Sequence, residues 1–385
     1  MATIEPYETK SGTRYRVRYR KPDGKPTDKR GFTTKRDAKA FAATVEVKKM
    51  TGDFIEASAG RITIDQLGKE WTENRTGVVA KTVATGESTW NVHVQPRWGT
   101  RSVGEIKPSE IRAWVAGMQA EEVGAATIEK AVGQLRQILE AAVEDRRIPR
   151  NPCQGVKAPK HKHIQRGYLT HSQVHQLAGE VSSHGLVVLF LAYTGLRWGE
   201  MAALKIKSFD MLRRRVNITE AVSEVKGELV WGNVKTHERR SVPFPKFLAE
   251  SLARQMEGKG REDLVFPGES GAVLRVSNYR PRVFAMAVAR CKGAALRQRA
   301  KEAQRGKLKT PEFPTITPHD LRHTAASLSI SAGANVKAVQ TMLGHKSAAM
   351  TLDTYADLFP DDLEAVSDAL DRAARASVGK KWAAS

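Results

Sequence analysis

The sequence predicts a multidomain protein, mainly α with small β elements, and three observations carry that expectation. The chain has 385 residues, more than a single hydrophobic core usually organises. Apolar residues recur at helical spacing through most of it, as in Ile128, Val132, Leu135, Ile138, Leu139 and Val143. Strand-like alternation is confined to short stretches near residues 14–20 and 216–244. The expected architecture is a small N-terminal sheet-plus-helix module over 1–56, an all-helical domain over 63–150, and a mixed, mainly α domain with a β-hairpin over 168–385, tail included.

Apolar and charged contents of 41% and 27% are those of an ordinary folded chain. A net charge of +21 is not ordinary. Such an excess of Lys and Arg favours a polyanion, either nucleic acid or an anionic membrane surface. The longest apolar run, Leu186 to Tyr193, is too short to span a bilayer, and the N-terminus carries no hydrophobic signal segment. Two cysteines, Cys153 and Cys291, are too few for a disulfide framework and suit a reducing cytoplasm. Nucleic acid is the better partner, with no membrane involved.

In the N-terminal module, Tyr15, Val17 and Tyr19 alternate with Arg14, Arg16, Arg18 and Arg20, so one strand face packs and the other presents four guanidiniums. Pro22-Asp23-Gly24 marks a turn, a second strand ends near Phe32, and Thr34 with Asp37 starts a helix striped by Ala38, Phe41 and Val45. A row of arginines on a small sheet suits DNA-groove or phosphate contact, though strand faces also carry charge for solubility alone. Small residues around 57–62 form a linker. The stripes Ile64, Leu67, Trp71 and Ile111, Trp114, Val115, Met118 then join the long one above as plain helical core. Prolines 149, 152 and 159 and the basic run Lys157 to Arg166 mark a second boundary. His161 and His163 near Cys153 lack a partner at zinc-finger spacing, so they are read as linker and no metal is expected.

The third domain opens with Thr170 capping a helix through Val174 and Leu177, followed by a buried helix over Leu186 to Tyr193. A glycine turn, Thr194-Gly195-Leu196, places Arg197 at the start of the next helix, with Glu200 one turn on and able to hold the guanidinium. Val216 to Thr219 and Glu228 to Val234 read as strands, and Ser241 to Phe244 as the return strand of a hairpin tipped by Lys235. Residues 290–312 are basic and read as a helix and loop, either a DNA contact or a surface insertion.

The stretch from Thr315 to Phe359 concentrates chemistry. Thr317-Pro318-His319-Asp320 reads as a helix start, and His319 and Arg322 share a face. Gly344 stops a helix before His345, and Ser347 can cap the helix that carries Tyr355. On these residues alone a helix-turn-helix DNA reader and an active site are equally supported. Leu363, Val366 and Leu370 form a last amphipathic stretch that can pack on its own domain or on a neighbouring protomer.

Four signatures in order decide between those readings: TGLRWGE around Arg197, VKTHERRSVPF around Lys235, TPHDLRHTAAS with His319 and Arg322, and LGHKSAAMTLDTYAD with His345 and Tyr355. Together they resemble the tyrosine recombinases, and within them the phage-type integrases, over roughly residues 168–360. The helical domain is similar in type and place to the family's core-binding domain, and residues 1–56 to its arm-type DNA-binding module.

The resemblance implies a site-specific DNA recombinase that integrates and excises a mobile element. Tyr355 would be the nucleophile, forming a 3′-phosphotyrosyl link. Arg197 and Arg322 would clamp the scissile phosphate, and Lys235 would protonate the leaving 5′-oxygen, with Arg239 and Arg240 nearby in the sequence. His319 would assist proton transfer at Tyr355, His345 would hydrogen-bond the phosphate, and Glu200 would support Arg197. The implied partners are double-stranded DNA at core-type and arm-type sites, a homotetramer on two duplexes, an excisionase and a host DNA-bending protein. The implied compartment is the cytoplasm of a bacterial host, at the nucleoid.

No cofactor is expected: no GxxxxGK[ST] loop points to ATP and no acidic trio to a two-metal nuclease. The rivals are a non-catalytic DNA-binding regulator and a type IB topoisomerase, which shares the nucleophile and arginine logic.

Overall fold

The computed structural model describes residues 2–56, 58–160, 167–233, 240–268, 270–355, 367 and 370–375. Two compact units divide the chain, 1–163 and 164–385.

The first unit opens with an antiparallel sheet of Thr3–Thr9 (β1), Gly12–Arg20 (β2) and Pro26–Phe32 (β3), in that order. The residue pattern does not predict β1, because Pro6 interrupts it; a proline is tolerated on an edge strand, where its missing N–H costs no ladder bond. Lys35–Met50 (α1) begins at Thr34, whose hydroxyl accepts the Asp37 N–H as expected. Val17 is buried with Ala38 and Val45, and the rings of Tyr19 and Phe32 meet Phe41, so the apolar strand face packs on α1.

The expected helices follow: Ile64–Glu73 (α2), Ala80–Thr89 (α3), Gln95–Trp98 (α4), Pro108–Ala120 (α5) and Ala125–Glu144 (α6). Their stripes meet in one core that includes Ile64, Leu67, Trp98, Ile111, Ile128 and Leu135, with Trp71 and Val143 at its margin.

The second unit is built around Gly185–Thr194 (α8), which is apolar on every side and packs against His171–Glu180 (α7) and Asp320–Ser331 (α13). Thr170 and Gln173 form the capping box that starts α7. Between α8 and α13 lie Trp198–Ala202 (α9), Ala249–Met256 (α10), Val276–Tyr279 (α11) and Ala285–Gln304 (α12). Val336–Leu343 (α14) and Ala348–Tyr355 (α15) complete it. The basic stretch 290–312 is the end of α12 and a loop folded back on it. Glu302 accepts the backbone N–H groups of Lys309 and Thr310, and the Thr310 bonds, with that of Lys309, hold its carboxyl down to about 2.

Among the described residues this unit also has five short strands: Phe209–Asp210 (β4), Arg215–Ile218 (β5), Glu220–Val225 (β6), Glu228–Asn233 (β7) and Arg240–Pro243 (β8). Here the strand pairing departs from expectation. β7 pairs with β6, not with β8, and β8 pairs with β5. The hairpin turn is therefore Lys226-Gly227, both at positive φ, the geometry that matches strand twist in a two-residue loop. Lys235 lies in the connection from β7 to β8, outside the described residues, as do His161, His163, Leu363 and Val366. Among the described residues no helix is long and apolar enough to cross a membrane.

Candidate active site

The site forms where the ends of α8, α13, α14 and α15 meet. α8 stops at Gly195, at φ +66°. A Cβ there would stand 2.6 Å from Leu343 Cδ2, so α8 can approach α14 this closely only with glycine at the turn. The turn delivers Arg197 to the N-cap of α9. Its backbone N–H donates to Glu200 Oε2 at 2.9 Å and its Nη1 to Oε1 at 2.8 Å, the pairing expected from the sequence.

Glu200 is 2% exposed and has a second guanidinium, one to which the sequence assigns no role. Arg240, first residue of β8, donates Nη1 to Oε1 at 3.0 Å and Nη2 to Oε2 at 2.6 Å. Burial alone would push the Glu200 carboxyl up; the hydrogen bonds and charge of Arg240, joined by Arg197, outweigh it and hold the group below its usual range. The available signal is strand alternation, which puts Arg240 on the same side as the buried Val242.

α13 supplies a second arginine. Thr317 closes the turn before it, donating its N–H and hydroxyl to Asp320 Oδ2. Arg322 is 4% exposed and donates Nη1 to the Gly195 carbonyl at 2.7 Å. Burial, then the charges of Arg197 and Arg240, push its pKa down to about 10, against Glu200 and Tyr355, and it remains a cation near neutrality.

α14 ends at Gly344, φ +65°, and His345 follows. The His345 Nδ1 lies 2.9 Å from Thr351 Oγ1, and its carbonyl accepts from Gln340 Nε2. Burial first, then Arg322, Arg197 and Arg240, push this imidazole down to about 4, so it is neutral at physiological pH. Ser347 Oγ accepts the Met350 N–H, the expected cap of α15.

Tyr355, the last residue of α15, is 1% exposed and packs with Ala326, Ile330, Val339 and Leu343. Its hydroxyl is 2.6 Å from Nδ1 of His323. His319 stands at the start of α13, its ring edge-on to His323 with centroids 5.3 Å apart. The structure thus gathers Arg197, Glu200, Arg322, His345 and Tyr355, sets His319 one ring away, and adds Arg240 and His323. The signal for His323 is its position one turn after His319 on the same helical face.

Arg14, Arg16, Arg18 and Arg20 lie far along the chain on the face of β2 opposite Val17. Glu5 on β1 pairs with Arg16 at 2.7 Å and with Arg18 at 3.3 Å, so the row is partly neutralised. Arg20 donates to the Gly24 carbonyl.

Chemically, Arg197 and Arg240 on one carboxylate, with Arg322 buried nearby, leave an excess of positive charge. Guanidinium offers paired N–H groups that match two oxygens of a phosphate. A phenol is a group that can act as a nucleophile once a neighbour takes its proton.

A family model described as the phage integrase family matches residues 167–361. The integrase of Mycobacterium phage L5 is 26% identical over 363 residues, covering 90% of this chain and 91% of that protein. Among solved structures, the Tn1549 transposon integrase in complex with a circular intermediate DNA aligns with a TM-score of 0.65 at 20% identity, over 81% of this chain and 99% of that one. A lambda integrase tetramer bound to a Holliday junction aligns at 0.53 and 18% identity, over 89% and 96%.

Proposed function

The chain belongs to the phage integrase family, and from that membership we propose how it acts as a tyrosine-type site-specific DNA recombinase that integrates and excises a mobile element. Tyr355 attacks the scissile phosphodiester. Its hydroxyl proton passes to Nδ1 of His323, with His319 behind it assisting the transfer. A new bond forms between Tyr355 Oη and phosphorus, the bond to the 5′-oxygen breaks, and Lys235 supplies that oxygen with a proton. The products are a 3′-phosphotyrosyl link and a free 5′-hydroxyl. Religation runs the same steps backward with a different 5′-hydroxyl, and the covalent link conserves the bond energy, so no nucleotide is consumed.

Arg197 and Arg322 neutralise the non-bridging oxygens, where charge builds in the transition state; losing one such preorganised donor typically costs about 2.7–4 kcal/mol. Neutral His345, its Nδ1 beside the Thr351 hydroxyl, hydrogen-bonds the phosphate. The observation that carries this reading is the Tyr355 hydroxyl, held at 2.6 Å by a histidine in a pocket bearing buried arginines.

Residues 63–150 and 168–385 act as the core-binding and catalytic domains on core-type sites, and 1–56 bind arm-type sites through Arg14, Arg16, Arg18 and Arg20. Exchanging strands in pairs calls for four protomers on two duplexes, in a bacterial cytoplasm at the nucleoid. An excisionase and a host DNA-bending protein set the direction. A nicked suicide substrate tests the core of this reading. Wild-type protein should become covalently attached to DNA and Tyr355→Phe should not, with DNA affinity nearly unchanged. Covalent trapping by the Phe variant would refute the nucleophile assignment.

A further inference from the structure

Arg240 is a deeply buried cation of the site whose purpose the chemistry above leaves open. Its side chain is 8% exposed, against 30% for Arg197, and both grip the same carboxylate. Arg240 forks onto both Glu200 oxygens, while Arg197 reaches one of them through its side chain. Arg240 therefore fixes Glu200 from the inside, and Glu200 presents Arg197 outward. A carboxylate buried to this degree stays charged and oriented only when it is paired and hydrogen-bonded.

The other end of the same side chain touches a second part of the site. The Arg240 Nε is buried without a hydrogen-bond partner among the described residues, and it lies 3.0 Å from where a Cβ on Gly344 would stand. Gly344 precedes His345. One side chain thus holds the start of α9 and runs beside the α14–α15 turn, and it directly follows the segment that carries Lys235.

We propose that Arg240 is a positioning residue for strand cleavage, acting through Glu200 to aim the Arg197 guanidinium at the scissile phosphate. Direct contact of Arg240 with that phosphate is disfavoured, because its side chain is only 8% exposed and its fork faces Glu200. The proposal rests on the reading of Arg197 as a phosphate clamp.

The test compares full-length wild type, Arg240→Met, Arg240→Lys, Arg197→Met and the Arg240→Met/Arg197→Met double variant in single-turnover cleavage of nicked substrates. The scissile linkage is either a phosphodiester or a methylphosphonate, in which a methyl group replaces one charged oxygen. Removing Arg240 should slow phosphodiester cleavage, by no more than the roughly 100- to 1000-fold typical of losing a direct donor, with DNA affinity little changed. Neutralising the linkage should restore much of that loss, as it should for Arg197→Met, and the double variant should be no slower than Arg197→Met alone. Arg240→Lys, which keeps the charge without the fork, should fall between wild type and Arg240→Met; if Arg240→Met does not fold, the same substrate comparison is made on Arg240→Lys.

Equal slowing on both substrates, additive losses in the double variant, or wild-type rates in both Arg240 variants would overturn the proposal. Normal phosphodiester cleavage by Arg197→Met would instead overturn the clamp reading beneath it.

Discussion

The hydroxyl of Tyr355 and Nδ1 of His323 lie 2.6 Å apart, and both residues are nearly covered, at 1% and 6% exposure. A phenol with a free pKa of about 10 needs a proton acceptor to attack near neutrality. His323 Nδ1 is within hydrogen-bond distance of that hydroxyl, so His323→Ala should slow single-turnover cleavage by about 100- to 10,000-fold, the usual worth of a placed general base. Replacing Tyr355 with a fluorotyrosine of lower phenol pKa should recover more of the rate in the variant than in wild type. If His323 only latched a resting nucleophile, His323→Ala would cleave as fast as wild type or faster.

His345 links pH to stability. Unfolded, its imidazole takes a proton near 6.5; folded, burial and the neighbouring arginines delay that to about 4. Between those values unfolding binds a proton, so this contribution is present above about 6.5 and is lost as pH falls through the window. Urea midpoints from pH 7.5 down to 4.5 should fall less steeply for His345→Asn than for wild type. Parallel curves would remove His345 as the source.

Gly195 joins two arginines to the core, because its carbonyl receives Arg322 and its turn places Arg197. Gly195→Ala combines a left-handed backbone with the Leu343 contact and should cost roughly 2–5 kcal/mol of stability and much of the activity. Gly333 is the internal control, at φ +82° with open space around it. Gly333→Ala should cost only about 1–2 kcal/mol. Denaturant titrations showing equal losses at the two positions would contradict the packing argument.

On the N-terminal sheet, Glu5 occupies Arg16 and Arg18, which leaves Arg14 and Arg20 as the arginines of the row without an ion pair among the described residues. Replacing both with Ala should weaken arm-site binding and reduce the slope of log K against log salt by about 1.8, near 0.9 for each phosphate no longer neutralised. Core-site cleavage should be unaffected. An unchanged slope in filter-binding or anisotropy titrations would exclude these two side chains from phosphate binding.

The sequence by itself determined the local structure and the kinds of residue at the site. Caps at Thr34, Thr170 and Ser347, the stops at Gly195 and Gly344 and the helical stripes all follow from short-range hydrogen bonding and 3.6-residue spacing. Arg197, Arg322, His345 and Tyr355 were legible because each sits in a contiguous signature. Three things were decided only by the tertiary structure. His319 and His323 share one face of α13, and the docking of α15 chose His323 for the phenol. Strand pairing turned on Lys226-Gly227, which a pattern of alternating residues does not distinguish from a longer hairpin. Arg240 acquired its partner because β8 aims it at a carboxylate forty residues away in sequence. Propensity and periodicity report on neighbours along the chain, whereas partners across it are selected by burial, where a polar group left unpaired costs about 1–3 kcal/mol.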